Sequence, residues 1–242
     1  MIPRFYCTDP LTPGDSVSLP ETAAHHAAHV LRLKPGDACF LFNGDGAEYS
    51  AVIERIGKNE TVAVVTGRQA VSRESPLAVT LVQALCAGDK MDLVVRKAVE
   101  LGASRIVPVL GERSVVRLQG SRAAVRVRHW QAVAIAACEQ CGRNRIPEVT
   151  PLTPLGDWLE QPSPAPVRWM LSPQGGQSFS ELDRPSGEVV LLVGPEAGFS
   201  EPEQQAARAA GYRAIRLGPR VLRTETAALA ALAALQGRWG DF

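Results

Sequence analysis

The run Val189-Val190-Leu191-Leu192-Val193-Gly194-Pro195-Glu196-Ala197-Gly198-Phe199-Ser200-Glu201-Pro202-Glu203 decides the architecture. Five consecutive β-branched or leucine residues without polar alternation suit a parallel strand covered on both faces. The Gly-Pro turn ends that strand, and Ser200 with Glu203 makes a capping box that starts a helix. The same grammar recurs downstream. Ile215-Arg216-Leu217 leads into Gly218-Pro219-Arg220-Val221-Leu222-Arg223-Thr224-Glu225-Thr226, and an Ala/Leu helix follows to about Gly237. Strand, glycine turn and helix used twice predict an α/β fold with a parallel sheet. Both loops then sit beyond the carboxyl ends of strands, where open α/β sheets bind ligands.

Gly-Pro turns often do no more than redirect a chain. Here Glu196, Arg220, Arg223 and Glu225 crowd into or beside the turns, more charge than a linker has use for. Neither loop carries the Gly-Lys-Ser/Thr ending of a Walker A motif or a G-x-G-x-x-G fingerprint, so a phosphate cradle is not expected. A glycine loop without lysine suits a ligand held by backbone amides and carbonyls, such as a nucleoside.

The chain has 242 residues, 45% of them apolar, enough for one large core or two unequal ones. No stretch reaches the length of a membrane span without a charge, and Met1-Ile2-Pro3-Arg4 does not open a signal peptide. A cytoplasmic protein with no membrane partner is expected. Five scattered cysteines, an odd number, make a disulfide framework unexpected. The net charge of +1 conceals an uneven distribution. From residue 113 to 145, Arg113, Arg117, Arg122, Arg126, Arg128, Arg143 and Arg145 face a single acid, Glu139; seven minus one leaves +6 there and −5 elsewhere. A local arginine field is the footprint of phosphate-backbone binding, and equally of a solvated helix face.

Residues 1–72 read as a small β-rich domain. Val17-Ser18-Leu19 is a short strand, and residues 21–33 form a helix ended by Lys34-Pro35-Gly36. Strands are predicted at 38–42, 47–56 and 61–66, joined by the hairpin connectors Asn43-Gly44-Asp45-Gly46 and Gly57-Lys58-Asn59-Glu60. Arg73-Glu74-Ser75-Pro76 marks the boundary to a second domain, 73–242, in which strand and helix alternate. Strands are predicted at 79–84, 105–110 and 167–171, and a Pro/Ser loop at 162–166. Residues 90–101 form a helix with Met91, Val94, Val95 and Ala98 on one face. A long helix follows over 121–140, with Val127, Trp130, Ala134, Ala137 and Cys141 at apolar spacing.

His25 and His29 stand at i, i+4, but His26 occupies the place of the glutamate that a zinc protease helix needs, and no metal site is expected. Cys138-Glu139-Gln140-Cys141 is a C-x-x-C without a second ligand pair, so packing at a helix end is its expected role. The following residues, Gly142-Arg143-Asn144-Arg145, set two guanidiniums and an amide around a glycine C-cap. They are candidates for phosphate and base-edge contacts or for capping helix carbonyls.

Several stretches together resemble one family. They are Ile2-Pro3-Arg4-Phe5-Tyr6, His29-Val30-Leu31-Arg32-Leu33-Lys34-Pro35-Gly36-Asp37, Gly88-Asp89-Lys90-Met91, Lys97-Ala98-Val99-Glu100-Leu101-Gly102, and Ala136-Ala137-Cys138 through Arg145. Gly194-Pro195-Glu196-Ala197-Gly198 and the long run from Leu217 to Ala227 complete the set. Over nearly its whole length the chain resembles the 16S ribosomal RNA uridine-N3 methyltransferases, the ribosomal RNA small subunit methyltransferase E family of the SPOUT class. One departure is Ala197, where the family usually has glycine; if that backbone has positive φ, alanine costs about 1 kcal/mol.

The resemblance implies a PUA-like β-barrel domain for RNA at 1–72 and a SPOUT methyltransferase domain at 73–242 with a C-terminal trefoil knot. It implies a homodimer, and the Ala/Leu helix, apolar on every side, suits a core or dimer interface. It implies S-adenosyl-L-methionine held by Leu171, Val193, Gly194, Pro195, Glu196, Gly198, Leu217, Gly218, Val221, Leu222 and Thr226. The substrate it implies is N3 of a uridine in 16S rRNA, position 1498 in bacterial numbering, within the assembled small subunit. Because N3 of uracil is a protonated imide, the site needs a proton acceptor, Glu139 or Glu225, and a cation facing the uracil oxygens, Arg143 or Arg223. Arg4, Arg32, Arg113, Arg117, Arg122, Arg126, Asn144 and Arg145 are the expected RNA contacts. Two further classes stay open: an RNA-binding adaptor without S-adenosylmethionine affinity, and a SPOUT relative that methylates tRNA or a ribose.

Overall fold

Alternating burial along two nine-residue strands carries the amino-terminal part of the protein. The computed structural model describes residues 2–57, 60–162 and 165–242. The chain divides into two units, Met1–Glu74 with Ile135–Ile146, and Ser75–Ala134 with Pro147–Phe242. The division at Glu74/Ser75 falls inside the stretch read as a boundary. Residues 135–146, read from sequence as part of the second domain, pack with the first unit, through hydrogen bonds described below.

In the first unit, β1 (Arg4–Tyr6), β2 (Ser16–Ser18), β3 (Ala38–Phe42), β4 (Glu48–Ile56) and β5 (Thr61–Gln69) form one sheet in the order β1-β3-β4-β5-β2. Only the β1–β3 pair is parallel; the rest are antiparallel. Register shifts at Ser50/Ala51 and Ile53/Arg55 bend β4, as bulges do, over a core that includes Phe5, Leu41, Tyr49, Ile53 and Val65. Gly44 and Gly46 take positive φ in the connector before β4. Lys58 and Asn59 of the other expected connector lie outside the described residues, as do Ser163 and Pro164 of the Pro/Ser loop. β1 was not expected, since three residues are too few to register an alternation.

The helix expected over 21–33 is a short α1 (Glu21–His25) that widens into a π turn, His26–Val30. The apolar spacing read from sequence does not separate the two windings. The turn ends with Arg32 at φ 53°, the only non-glycine residue with positive φ among the described residues. That is the position after a helix end where glycine is favoured because it has no Cβ to clash.

The second unit is a parallel sheet. Its strands are β6 (Val79–Ala84), β7 (Arg105–Leu110), β8 (Glu148–Val149), β9 (Thr153–Pro154), β10 (Val167–Leu171), β11 (Gln177–Ser178), β12 (Val189–Val193) and β13 (Arg213–Arg216). They run in the order β11-β13-β10-β12-β6-β7-β8, with β9 beside β7. All five residues of β12 are buried, as the apolar run required. The helices are α2 (Lys90–Glu100), α3 (Gly120–Cys141), whose residues from Ile135 on belong to the first unit, α4 (Leu155–Glu160), α5 (Glu201–Ala209) and α6 (Thr224–Trp239). α2 buries Met91, Val94, Val95, Ala98 and Val99 and packs on α6. α5 opens with the expected capping box between Ser200 and Glu203. Within the chain α6 buries one face, Ala228, Ala231, Leu232 and Leu235, while Ala227, Ala230, Ala233 and Ala234 on the other remain partly exposed.

Replacing Arg32 by glycine removes the left-handed penalty. Arg32→Gly is expected to raise the unfolding free energy by about 1 kcal/mol in urea titration; an unchanged or lower value would show that the arginine side chain compensates the strain.

Candidate functional site

Three adjacent strands end at one level. β10 lies between β12 and β13, with Met170 beside Leu192 and Leu171 beside Ile215. The loops after Leu171, Val193 and Arg216 therefore leave the sheet side by side, and they carry the residues expected to hold the cofactor. Alignment is what parallel pairing enforces, since strands of one direction present all their carboxyl ends on one edge.

The β12 and β13 loops are tied together at their bases. Thr224, the first residue of α6 and 6% exposed, donates its hydroxyl to the Gly194 carbonyl at 2.6 Å. It accepts the amide of the fully buried Gln83, at the end of β6, at 2.9 Å. Gln83 Nε2 also donates to the Ala84 carbonyl at 2.9 Å. A second tie runs through charge. Glu196 Oε1 accepts the Ala87 amide and Lys90 Nζ, both at 2.9 Å, and Lys90 Nζ lies 4.0 Å from Glu225 Oε2. That Glu225 oxygen is buried and has no hydrogen-bond partner among the described residues. Burial alone would raise the Glu196 carboxyl; the hydrogen bonds from Lys90 and the Ala87 amide outweigh it and hold it below 4.5. The hydrogen bond to Glu196 raises the Lys90 ammonium, so the pair is ionised. Burial, reinforced by Glu196 and Glu225, pushes the Cys86 thiol up to about 12.

The glycines leave room where a backbone-held ligand needs it. Gly218 has φ 125° and Gly198 φ 68°, and a Cβ at either would meet nothing within 4 Å. At Gly194 a Cβ would touch the Gly198 Cα and the Phe199 ring, each at 3.4 Å. Ala197, by contrast, does not take positive φ, so the expected cost of alanine there does not arise; Gly198 makes the left-handed turn instead. At Gly176 the sequence reading missed a constraint. A Cβ there would sit 2.2 Å from the Ala214 carbonyl oxygen, so only glycine lets the loop after β10 pass β13. The open space beside Gly198 and Gly218, on loops that leave neighbouring strand ends, fits S-adenosylmethionine held by backbone groups.

Of the expected residues, Leu171, Val193, Gly194, Pro195, Glu196, Gly198, Leu217, Gly218, Val221, Leu222, Thr226, Arg223 and Glu225 all belong to these loops or to the start of α6. Arg223 is exposed, and its side chain makes no hydrogen bond or ion pair among the described residues. Lys90, Thr224 and Gln83 had been assigned no role. The charged Gly88-Asp89-Lys90 turn was the available signal for Lys90, whereas a buried Gln83 leaves no pattern in an apolar strand.

Arg143, Glu139, Arg4 and Asn144 belong to the first unit and have partners within it. Arg143, 5% exposed, holds Glu74 with two nitrogens, at 2.5 and 3.1 Å. Glu139 accepts the Tyr6 amide at 3.0 Å, and burial raises its carboxyl. Arg4 pairs with the buried Glu48 and donates to Asn144 Oδ1 at 2.5 Å, while Asn144 Nδ2 donates to the Val71 carbonyl at 2.8 Å. The side chains of Arg4 and Asn144 are buried and turned to internal partners, with Arg4 Nε left without a hydrogen bond among the described residues, so they do not form an exposed RNA surface, a correction to the sequence expectation. Desolvated guanidiniums and amides have to be paired, and these pairs draw residues 135–146 into the first unit. Arg32, Arg113, Arg117, Arg122 and Arg145 are exposed, and Arg126 is half-buried over the Trp130 ring. Cys138 is buried, with its thiol pushed up to about 12 by burial, as a packing residue requires.

Thr224→Val leaves the Gly194 carbonyl and the Gln83 amide without their partner and is expected to cost about 1–3 kcal/mol in urea unfolding. Glu196 is depressed in the folded protein, so its contribution is complete above 4.5 and disappears as pH falls through its lower folded value. The stability advantage of the parent over Glu196→Gln should accordingly be full above pH 4.5 and shrink as pH is lowered below it; a pH-independent difference would exclude the ionised clamp.

The comparisons with known proteins agree with this arrangement. Residues 73–236 match the family model of an RNA methyltransferase domain, and residues 19–66 that of an RNA methyltransferase PUA domain. The chain is 33% identical to ribosomal RNA small subunit methyltransferase E of Buchnera aphidicola subsp. Schizaphis graminum, across 99% of this chain and 98% of that one. Against the Mycobacterium bovis protein of the same name identity is 33%, across 99% and 94%. A ribosomal RNA small subunit methyltransferase E from Neisseria gonorrhoeae, solved bound to S-adenosyl methionine, superposes with a TM-score of 0.93 at 40% identity, covering 100% of both chains. A Legionella pneumophila protein solved with bound SAM gives 0.96 at 36% identity, again covering 100% of both. Two glycine loops on aligned parallel strands, a matching RNA methyltransferase domain and full-length relatives place this chain in the ribosomal RNA small subunit methyltransferase E family.

Proposed function

We propose that this chain transfers a methyl group from S-adenosyl-L-methionine to N3 of a uridine in 16S rRNA, within the assembled small ribosomal subunit. The observation that carries the reading is the pairing of the cofactor loops with an unused acid. Glu225 presents a buried carboxylate oxygen that accepts no hydrogen bond among the described residues, one residue after the threonine that anchors the Gly194 loop. When bound, S-adenosylmethionine supplies an electrophilic methyl group on a sulfonium. The protein's share is to remove the imide proton and hold the resulting uracil anion in line with that methyl. Glu225 takes the proton; Lys90, 4.0 Å from it, stays an ammonium and fixes the carboxylate's position. Arg223, exposed and unpaired at the N-cap of α6, faces the uracil oxygen that gains charge. Arg143 and Glu139 take no part in the chemistry, since both already hold partners in the first unit.

The reading extends to organisation. Residues 1–72 act as the PUA-like RNA-binding domain and 73–242 as the methyltransferase domain with its trefoil knot. Two chains dimerise through the half-exposed face of α6, whose alanines permit a second helix to approach closely. The protein works in the cytoplasm; among the described residues no helix is long and apolar enough to cross a membrane.

Incubation with labelled S-adenosylmethionine and small subunits lacking the modification, followed by mass mapping, is expected to place label on N3 of a single 16S uridine. Label on a ribose or on tRNA alone would overturn the target; no label and no cofactor binding would overturn the enzyme. Arg223→Ala and Glu225→Gln should each lower kcat roughly 100-fold or more while the dissociation constant for S-adenosylmethionine stays within about twofold.

A further inference from the structure

The sheet has a topological switch between β6 and β12. From β6 the chain proceeds to β7 on one side, and from β12 to β13 on the other. A crevice at the carboxyl ends of such a pair is where open α/β sheets take ligands. The three cofactor loops occupy the β12 side. On the β6 side the structure holds a separate cavity of about 150 Å³. Buried Leu85, Met91 and Trp130 line it, with Asp89 and Arg126 as its charged groups. The segment after β7 completes it. Burial alternates there along Ser114, Val115, Val116, Arg117 and Leu118, so Val116 and Leu118 turn into the cavity while Val115 and Arg117 face solvent.

A cavity of this size with apolar walls admits one six-membered aromatic ring. The surroundings specify the kind of ring. Arg113, Arg117 and Arg122 are exposed on the same loop and the first turn of α3, and the Arg126 guanidinium lies 5.8 Å above the Trp130 ring. Trp130 is fixed by its indole N–H, which donates to Asp92 Oδ1 at 3.1 Å. An apolar slot ringed by exposed arginines matches a base removed from its stack with phosphates on either side. The slot also adjoins the methyl-transfer loops: Cys86 lines it, and the neighbouring Ala87 amide is the one that Glu196 accepts.

We propose that this cavity captures an unstacked pyrimidine base of the RNA substrate, with Arg126 over it and the exposed arginines on its flanking phosphates. The inference rests on the RNA-methyltransferase reading above and adds where the RNA is gripped. The captured base is either the target uridine or its neighbour, and the experiment separates the two.

Val116→Trp fills the slot from a half-buried extended segment, and Arg126→Ala removes its cation. RNA affinity is measured on full-length protein with a 16S rRNA fragment containing the target, intact or with single abasic sites at the target and at each adjacent nucleotide. S-adenosylmethionine affinity and melting temperature serve as folding controls. With both controls unchanged, Val116→Trp is expected to weaken binding of the intact fragment at least tenfold. On the fragment abasic at the captured position, parent and variant should bind equally, and that position identifies the occupant. Intact-fragment affinities within twofold of the parent for both variants would overturn the proposal. Failure of the proposed reaction reads differently, as normal RNA affinity and a slot-dependent loss of binding without any methylated uridine. Should Val116→Trp fail a control, Leu118→Arg, which places a charged chain in the same slot, takes its place with the same two outcomes.

Discussion

Thr224 donates a hydrogen bond from its hydroxyl to the Gly194 carbonyl and accepts one from the Gln83 amide, and most of the candidate site hangs on that one buried side chain. Three parallel strands ending at one level bring their loops to the same edge, but glycine-rich loops have many conformations open to them. A hydroxyl bonded to both loop and neighbouring strand removes much of that freedom before any ligand arrives. The Glu196–Lys90 pair tethers the same β12 loop to the start of α2, and unlike the hydroxyl it depends on ionisation. Binding a nucleoside through backbone groups requires such fixing, because backbone donors cannot be repositioned by choosing another rotamer.

Arginine serves two opposite purposes in this chain. Arg4 and Arg143 are taken out of water and pair with Glu48, Asn144 and Glu74, which knits residues 135–146 to the first unit. Arg113, Arg117 and Arg122 stay in solvent, where an extended field is useful to a polyanion. Net charge and even local charge counts treat the two groups alike. The distinction lies in desolvation: a guanidinium leaves water only where a carboxylate and further acceptors replace it.

Glycine shows the same division between local and long-range causes. Gly198 and Gly218 serve their own turns, and a Gly-rich loop announces them. Gly176 is required by a neighbour distant in sequence, since the carbonyl of Ala214 fills the space of its missing Cβ. Ala197 tolerates its side chain because the left-handed residue of that turn is the next one.

Read alone, the amino-acid sequence determined the elements whose periodicity is strong: the buried run of β12, the capping box of α5, the apolar faces of α2 and α3, and the parallel sheet that their alternation requires. It also marked the two glycine loops, since glycine, proline and charge cluster there. It left the ends of weak elements open, so the π turn before Arg32 and the three-residue β1 emerged only on folding. Tertiary structure alone decided which strands are neighbours, and with that the alignment of the three loops, the Thr224–Gly194 tie and the separate cavity beside β6. It alone paired Arg143 with Glu74 and Glu139 with the Tyr6 amide. These outcomes depend on contacts between residues far apart in the chain, and burial, the term that settles which polar group is paired, exists only once those contacts have formed.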